Sequence, residues 1–119
     1  MDEACKYNIL DGDKVSQALK MIGGKWKLKI LYTIGYNEVI RYGELKRELG
    51  GITDKILANE LKNLEQDHLI LREVIPDVPP KVEYSLTPKG YGLLPTFDAL
   101  YEWIMTNDYG GNSYEILYS

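Results

Sequence analysis

The segment GGITDKILANELKNLEQDHLILR, residues 50–72, decides how the rest of the chain is read. Gly50-Gly51 signals a turn. Thr53 suits an N-cap, and Asp54 in the first turn complements the positive end of a helix dipole. Together they predict a helix running from the Thr53 cap to about Glu65. At 100° per residue, Ile56, Leu57, Leu61 and Leu64 share one broad apolar sector, while Lys55, Ala58, Asn59 and Lys62 fall opposite. The outer face therefore carries amide and ammonium groups around one small residue. That chemistry suits a DNA major groove. Asn pairs with an adenine edge, Lys reaches guanine or phosphate, and Ala permits close approach or touches a thymine methyl. The same face also suits an ordinary solvated amphipathic helix, so the flanking elements decide between the two.

Upstream, Val39 and Ile40 predict a very short strand, and Tyr42–Leu49 a helix of two turns with Leu45 and Leu49 inward. Arg41, Lys46 and Arg47 remain available outside. This helix, the Gly50-Gly51 turn and the Thr53 helix compose a helix–turn–helix over residues 41–66. In that motif the first helix braces on the backbone and the second enters the groove. Downstream, Leu69–Ile75 and Lys81–Leu86 are β-prone runs joined by the stiff turn segment PDVPP. They predict a hairpin wing over residues 69–86, with Lys81 near its loop and in reach of phosphate or the minor groove. A hairpin of this kind also covers the core whether or not it meets DNA.

The outer elements are helical. Val15, Ala18, Leu19 and Ile22 place one apolar face on a helix from Asp13 to Ile22, closed by Gly23-Gly24. A second helix is expected over about Lys25–Ile34, with Trp26, Ile30, Leu31 and Ile34 inside and Gly35 at its end. Thr87-Pro88 marks another helix start. That helix should run to about Thr106 with a long apolar stripe of Leu93, Leu94, Phe97, Leu100, Tyr101 and Ile104, kinked at Pro95. The stretches 1–22 and 88–106 are the natural dimerisation elements of so small a chain. The fold class is mainly α with a small β-hairpin wing: one winged helix-turn-helix domain over residues 1–119, with dimerisation helices at both ends.

Composition narrows the function. No apolar run reaches the roughly 18 residues of a membrane-spanning helix, and the start MDEACKYNILDGD is unlike a signal peptide, so a cytoplasmic protein is expected. The chain has one cysteine, Cys5, and one histidine, His68, which excludes a disulfide within the chain and argues against structural zinc. No nucleophile–base pair, GxGxxG or P-loop is present, so neither an enzyme nor a cofactor is expected. The formal charge of −4 argues at first against nucleic acid, but its distribution does not. Residues 1–13 carry net −3 and residues 90–119 net −4, while the middle, 14–89, carries net +3. Phosphate contacts need only a local basic face.

IGGKWKLKIL (22–31), RYGELKREL (41–49), GITDKILANELKNLEQDHLILR (51–72), PPKVEYSLTPKG (79–90) and Trp103, in this order and spacing, resemble the HxlR family of bacterial winged-helix transcription regulators, related in fold to the MarR group. The resemblance covers about residues 5–104. It departs at His68, where the family usually has Gly, so His68 must itself adopt the bend that follows the reading helix. It departs also at Ala58, where Ser or Thr is common, and mildly at Tyr42, where Phe is. The resemblance implies a homodimer on a pseudo-palindromic DNA operator, without a membrane partner. Lys55, Asn59 and Lys62 would supply base readout and Arg41, Lys46, Arg72 and Lys81 phosphate contacts. Cys5 occupies the place of a family N-terminal cysteine that in some members is a redox switch. Lys6 beside it favours the thiolate and Asp2 and Glu3 oppose it, so Cys5 is either a sensor or a small packed residue in the dimer seam. The alternative function is a winged-helix module that binds a protein or a small molecule, with weak or no DNA affinity; the effector is left open.

Overall fold

Two threonine caps set the frame. In the computed structural model, which describes residues 12–107, Thr53 Oγ1 accepts from the backbone N–H of Ile56 at 3.2 Å, and Thr87 Oγ1 accepts from that of Gly90 at 3.0 Å. These caps start the helix after Thr53 and the last helix. In chain order the elements are α1 (Gly12–Ile22), α2 (Lys27–Asn37), β1 (Val39–Arg41), α3 (Tyr42–Leu49), α4 (Asp54–Gln66), β2 (Ile70–Ile75), β3 (Lys81–Leu86) and α5 (Pro88–Thr106). Between α3 and α4 the backbone turns through Gly50 (φ 64°) and Gly51 (φ 78°), a region that disfavours a Cβ.

The core is one cluster. Ile30, Leu31 and Ile34 of α2 meet Leu45 of α3, Leu57, Leu61 and Leu64 of α4, Ile70, Tyr84 and Leu86 of the sheet, and Phe97 of α5. The expected hairpin is part of a larger unit, because β1 joins it in a three-stranded antiparallel sheet of order β1-β3-β2. The register pairs Tyr84 with Ile40 on one side and with Arg72 on the other. Strand β2 starts inside the core at Ile70, and Leu71, Arg72, Glu73 and Val74 are exposed, as a wing projecting past the core would be.

Two expectations need correction, one on α2 and one on Ile56 of α4. Helix α2 starts at Lys27 and continues through Gly35 to Asn37. Gly35 does not stop it; a Cβ there would sit 2.9 Å from Leu86 Cδ1 and 3.3 Å from Leu94 Cδ1, so its smallness serves packing. The stop lies at Glu38, which takes φ 66° and donates its N–H to the Gly35 carbonyl. Trp26 caps α2 as a half-buried residue, with the ammonium groups of Lys25 and Lys29 at 5.0 and 5.3 Å from its ring. Ile56 stands in the first turn of α4 and remains 42% exposed, so Leu57, Leu61 and Leu64 alone form its buried face. Helix α1 buries none of its residues: Val15 and Leu19 are exposed, and only Met21 and Ile22 pack on the core.

The end of α4 is tied to the start of α5. His68 takes φ 60°, the bend foreseen for it, and Leu69 N–H returns to the Leu64 carbonyl at 2.9 Å. Thr87 donates its N–H to the Leu69 carbonyl at 3.1 Å and its hydroxyl to the His68 carbonyl at 2.6 Å. Lys89 Nζ donates to the Asp67 carbonyl at 2.9 Å. Gly90 is buried against this junction, and a Cβ on it would fall 2.2 Å from the Leu69 carbonyl oxygen. Farther along, α5 is latched to α2: the Tyr32 ring packs on Phe97 at 5.5 Å, and its hydroxyl donates to Asp98. No helix among the described residues is long and apolar enough to cross a membrane.

Two outcomes are expected. Gly90→Ala should cost about 3 kcal/mol in denaturant unfolding, the upper end of overpacking penalties, because the opposing atom is backbone. The hydrogen bond to Asp98, then burial, then the Asp98 charge raise the Tyr32 phenol from 10.0 to about 12. The protonated latch thus stabilises the fold below pH 10.0, and this contribution is lost as pH rises toward about 12. In ultraviolet phenolate titrations Tyr32→Phe should remove a step near about 12, and Asp98→Asn should bring that step back toward 10.0.

Candidate nucleic-acid interface

Helix α4 is buried on the Leu57–Leu61–Leu64 side and open on the other. Lys55, Asn59 and Lys62 stand on the open side at i, i+4 and i+7, which puts them in one line along the helix. Ala58 is exposed beside them. The three residues expected to read bases therefore share one solvent-facing surface. The sheet brings the wing against this helix. A groove of about 380 Å³ separates them, lined by Tyr42, Ala58, Leu61, Lys62, Glu65, Arg72 and Tyr84. Lys62 and Arg72, expected in different roles, thus flank one cleft from opposite elements.

Helix α3 braces the first turn of α4. Tyr42 donates its hydroxyl to Asp54 Oδ1 at 2.9 Å, and Lys46 Nζ lies 3.1 Å from Asp54 Oδ2. The hydroxyl of Tyr42, and after it the Lys46 ammonium, hold the Asp54 carboxyl below its ordinary range. Burial, and then the bond to Asp54, raise the Tyr42 phenol. Both shifts keep the donor protonated and the acceptor charged across neutral pH. The start of α3 is held by Glu44, whose Oε1 accepts from the backbone N–H of Arg41 at 3.2 Å.

The four residues expected to hold phosphate fall into two classes. Arg41 ends β1 and Arg72 lies on β2, and both are exposed. Lys46 and Lys81 are engaged: Lys46 pairs with Asp54, and Lys81 at the base of the wing loop pairs with Asp77 at 3.2 Å. The wing loop itself, Pro76–Pro80, presents Val78 fully to solvent and contains a cis Val78–Pro79 bond. Sequence reasoning missed Tyr42, Glu65 and Tyr84 as neighbours of the cations. Neither ion pair was read from the sequence: Lys81–Asp77 closes within the wing loop, and Lys46–Asp54 joins two helices. Cys5 lies outside the described residues.

What this surface can do is polar recognition of an anionic, edge-bearing polymer: cations at its margins, an amide at its centre, and a projecting wing. Comparison with known proteins agrees. The family model described as HxlR-like helix-turn-helix matches residues 21–110. An uncharacterized HTH-type transcriptional regulator from Halalkalibacterium halodurans is 52% identical over 89 residues, 75% of this chain and 79% of that protein. Among solved structures, a MarR-family chain from Porphyromonas gingivalis W83 is 42% identical with a TM-score of 0.72, covering 90% of this chain and 96% of that one. The redox regulator HypR in its reduced form is 40% identical with a TM-score of 0.73, covering 79% and 92%. The chain belongs to the HxlR-like helix-turn-helix family of transcriptional regulators, and its fold is the winged helix of the MarR group.

Proposed function

We propose that this HxlR-type regulator acts in the cytoplasm as a homodimer that occupies a pseudo-palindromic operator, reading bases through Lys55, Asn59 and Lys62. The observation that carries the reading is the exposed Lys55–Asn59–Lys62 line on α4, with the wing and Arg72 beside it. Asn59 stands at the centre of that line and suits an adenine edge. Arg41 and Arg72, both exposed, and Lys46 and Lys81, each paired with an aspartate, are assigned to backbone positioning. Homodimerisation is supported by the apolar surface left open at both ends of the fold. Val15 and Leu19 of α1 and Leu100, Tyr101, Trp103, Ile104 and Met105 of α5 are all exposed. Seven large apolar side chains left exposed on two terminal helices of a small chain favour a protein interface.

The test is fluorescence anisotropy with duplexes from the chain's own upstream region and from a genomic fragment library, at two salt concentrations. Wild-type binding should weaken steeply as salt rises, through counterion release. Asn59→Ala should cost about 1–3 kcal/mol and relax the preference at one base pair. Arg72→Ala should weaken all duplexes alike and flatten the salt slope by about 1. Failure to bind any fragment would move the reading to an interaction module without DNA affinity.

Cys5 is the proposed redox switch. Support comes from the similarity to HypR, which is described as a redox regulator with a structure in an oxidized form. Two Cys5 thiols, one from each protomer, would join as a disulfide and give two protons and two electrons to the oxidant; one thiol with a small thiol would give a mixed disulfide. Mild oxidation with diamide should change operator affinity in the wild type and leave Cys5→Ser unchanged. Equal responses in both proteins would leave Cys5 as a packing residue.

A further inference from the structure

Ion pairs at N···O distances up to 4 Å number two among the described residues, and each takes a cation from the DNA face. Lys46 of α3 is held at 3.1 Å by Asp54, the first residue of the reading helix. Lys81 at the start of β3 is held at 3.2 Å by Asp77 of the wing loop. Arg41, Lys55, Lys62 and Arg72, the other cations of that face, form no such pair among the described residues. Both aspartates point outward, with side chains 70% and 49% exposed. Asp54 is also fixed in place, since its other oxygen accepts the Tyr42 hydroxyl. An ammonium coordinated by a carboxylate oxygen at this distance presents the geometry it would present to a phosphate oxygen. A DNA backbone seated on this face would lie within a Debye length, about 8 Å, of both carboxylates.

We propose that Asp54 and Asp77 are intramolecular competitors for the DNA backbone, each occupying a lysine that would otherwise hold a phosphate. The proposal rests on the DNA-binding reading above. On arbitrary DNA, where backbone charge supplies essentially all the affinity, Lys46 and Lys81 must either leave their carboxylates or carry them toward the phosphates. Either route lowers the number of counterions released. The face therefore grips DNA with fewer cations than its sequence counts, and its dwell on arbitrary sites is short. This gives the two paired aspartates a role on a surface that meets a polyanion.

The test measures the affinity and salt slope of Asp54→Asn, Asp77→Asn and the double variant on a random-sequence duplex. Each single variant is expected to tighten binding roughly five- to tenfold at 0.1 M salt and to steepen the salt slope by about 0.9, with about twice that steepening in the double variant. Adding Lys46→Gln to Asp54→Asn should remove that variant's gain, because the freed lysine is then missing. Circular dichroism checks that the variants are folded; Asp77 lies in the wing loop, so its variant tests the proposal even where Asp54→Asn disturbs the start of α4. Variants that bind with wild-type affinity and slope overturn the proposal, as does an Asp54→Asn loss confined to one base pair, which would make Asp54 a base reader. Absence of binding by wild type and variants alike, on random duplex and genomic fragments, overturns the DNA-binding reading and this proposal together.

Discussion

The rest of the structure depends on the bend at Asp67–Leu69. Three successive carbonyls there, of Asp67, His68 and Leu69, accept from Lys89 Nζ, Thr87 Oγ1 and Thr87 N–H. The C-terminus of the reading helix and the N-terminus of the last helix thus satisfy each other's orphan groups within a few residues. Gly90 presses the junction together, since its missing Cβ is what lets α5 reach the Leu69 carbonyl. Helix α4 carries the proposed reading face and α5 the apolar face proposed to meet a partner. Their relative angle is therefore set by this junction and by the Tyr32–Asp98 latch. In a two-fold dimer that angle decides how far apart the two reading helices stand, which must match half-sites about one DNA turn apart.

Local signals made most of the fold legible before any coordinates. Thr53, Thr87-Pro88 and Gly50-Gly51 state helix starts and turns by side-chain chemistry, and α3, β3 and α5 fall where those signals put them. His68 was legible as a bend because the resemblance put Gly there. The errors arise where tertiary contact outweighs local chemistry. Gly35 looks like a helix stop, but its role is to admit Leu86 and Leu94. Ile56 fits the apolar sector by angle, yet at the first turn of α4 it stays 42% exposed. The union of β1 with the hairpin pairs residues more than forty positions apart, as Ile40 with Tyr84 shows, and no spacing rule announces it.

The candidate site was legible in outline and not in its electrostatics. Helical periodicity alone puts Lys55, Asn59 and Lys62 in a line. Whether a cation is available is a question of what stands 3 Å away, and for Lys46 that neighbour is on the next helix. Exposed pairs of this kind contribute little to folding, with a median of about 0–1 kcal/mol. Stability is thus a weak reason for both ion pairs of the described residues to engage a lysine proposed to hold phosphate. Competition with phosphate gives them a role at the surface where a small electrostatic change alters binding most.

Helix α1 poses the remaining physical question. A helix of 11 residues is marginal in water on its own, and α1 buries none of its residues, touching the core only through Met21 and Ile22 at its end. Its apolar side chains Val15 and Leu19 face solvent in the single chain. The groove of about 340 Å³ between α1 and α5, lined by Ala18, Met21, Ile22, Leu69, Lys89, Gly92 and Leu93, is apolar except for Lys89. A surface of this kind is ordered by whatever covers it. In the proposed dimer that cover is the partner's own α1 and α5, so the order of α1 and the association of the chains rise together. Cys5 precedes α1 by seven residues. A bond formed there between two protomers would act first on the element of the fold that has least packing of its own. Ala18, Met21 and Ile22 of α1 line one groove with Leu69 of that bend, so α1 lies beside the junction that joins α4 to α5.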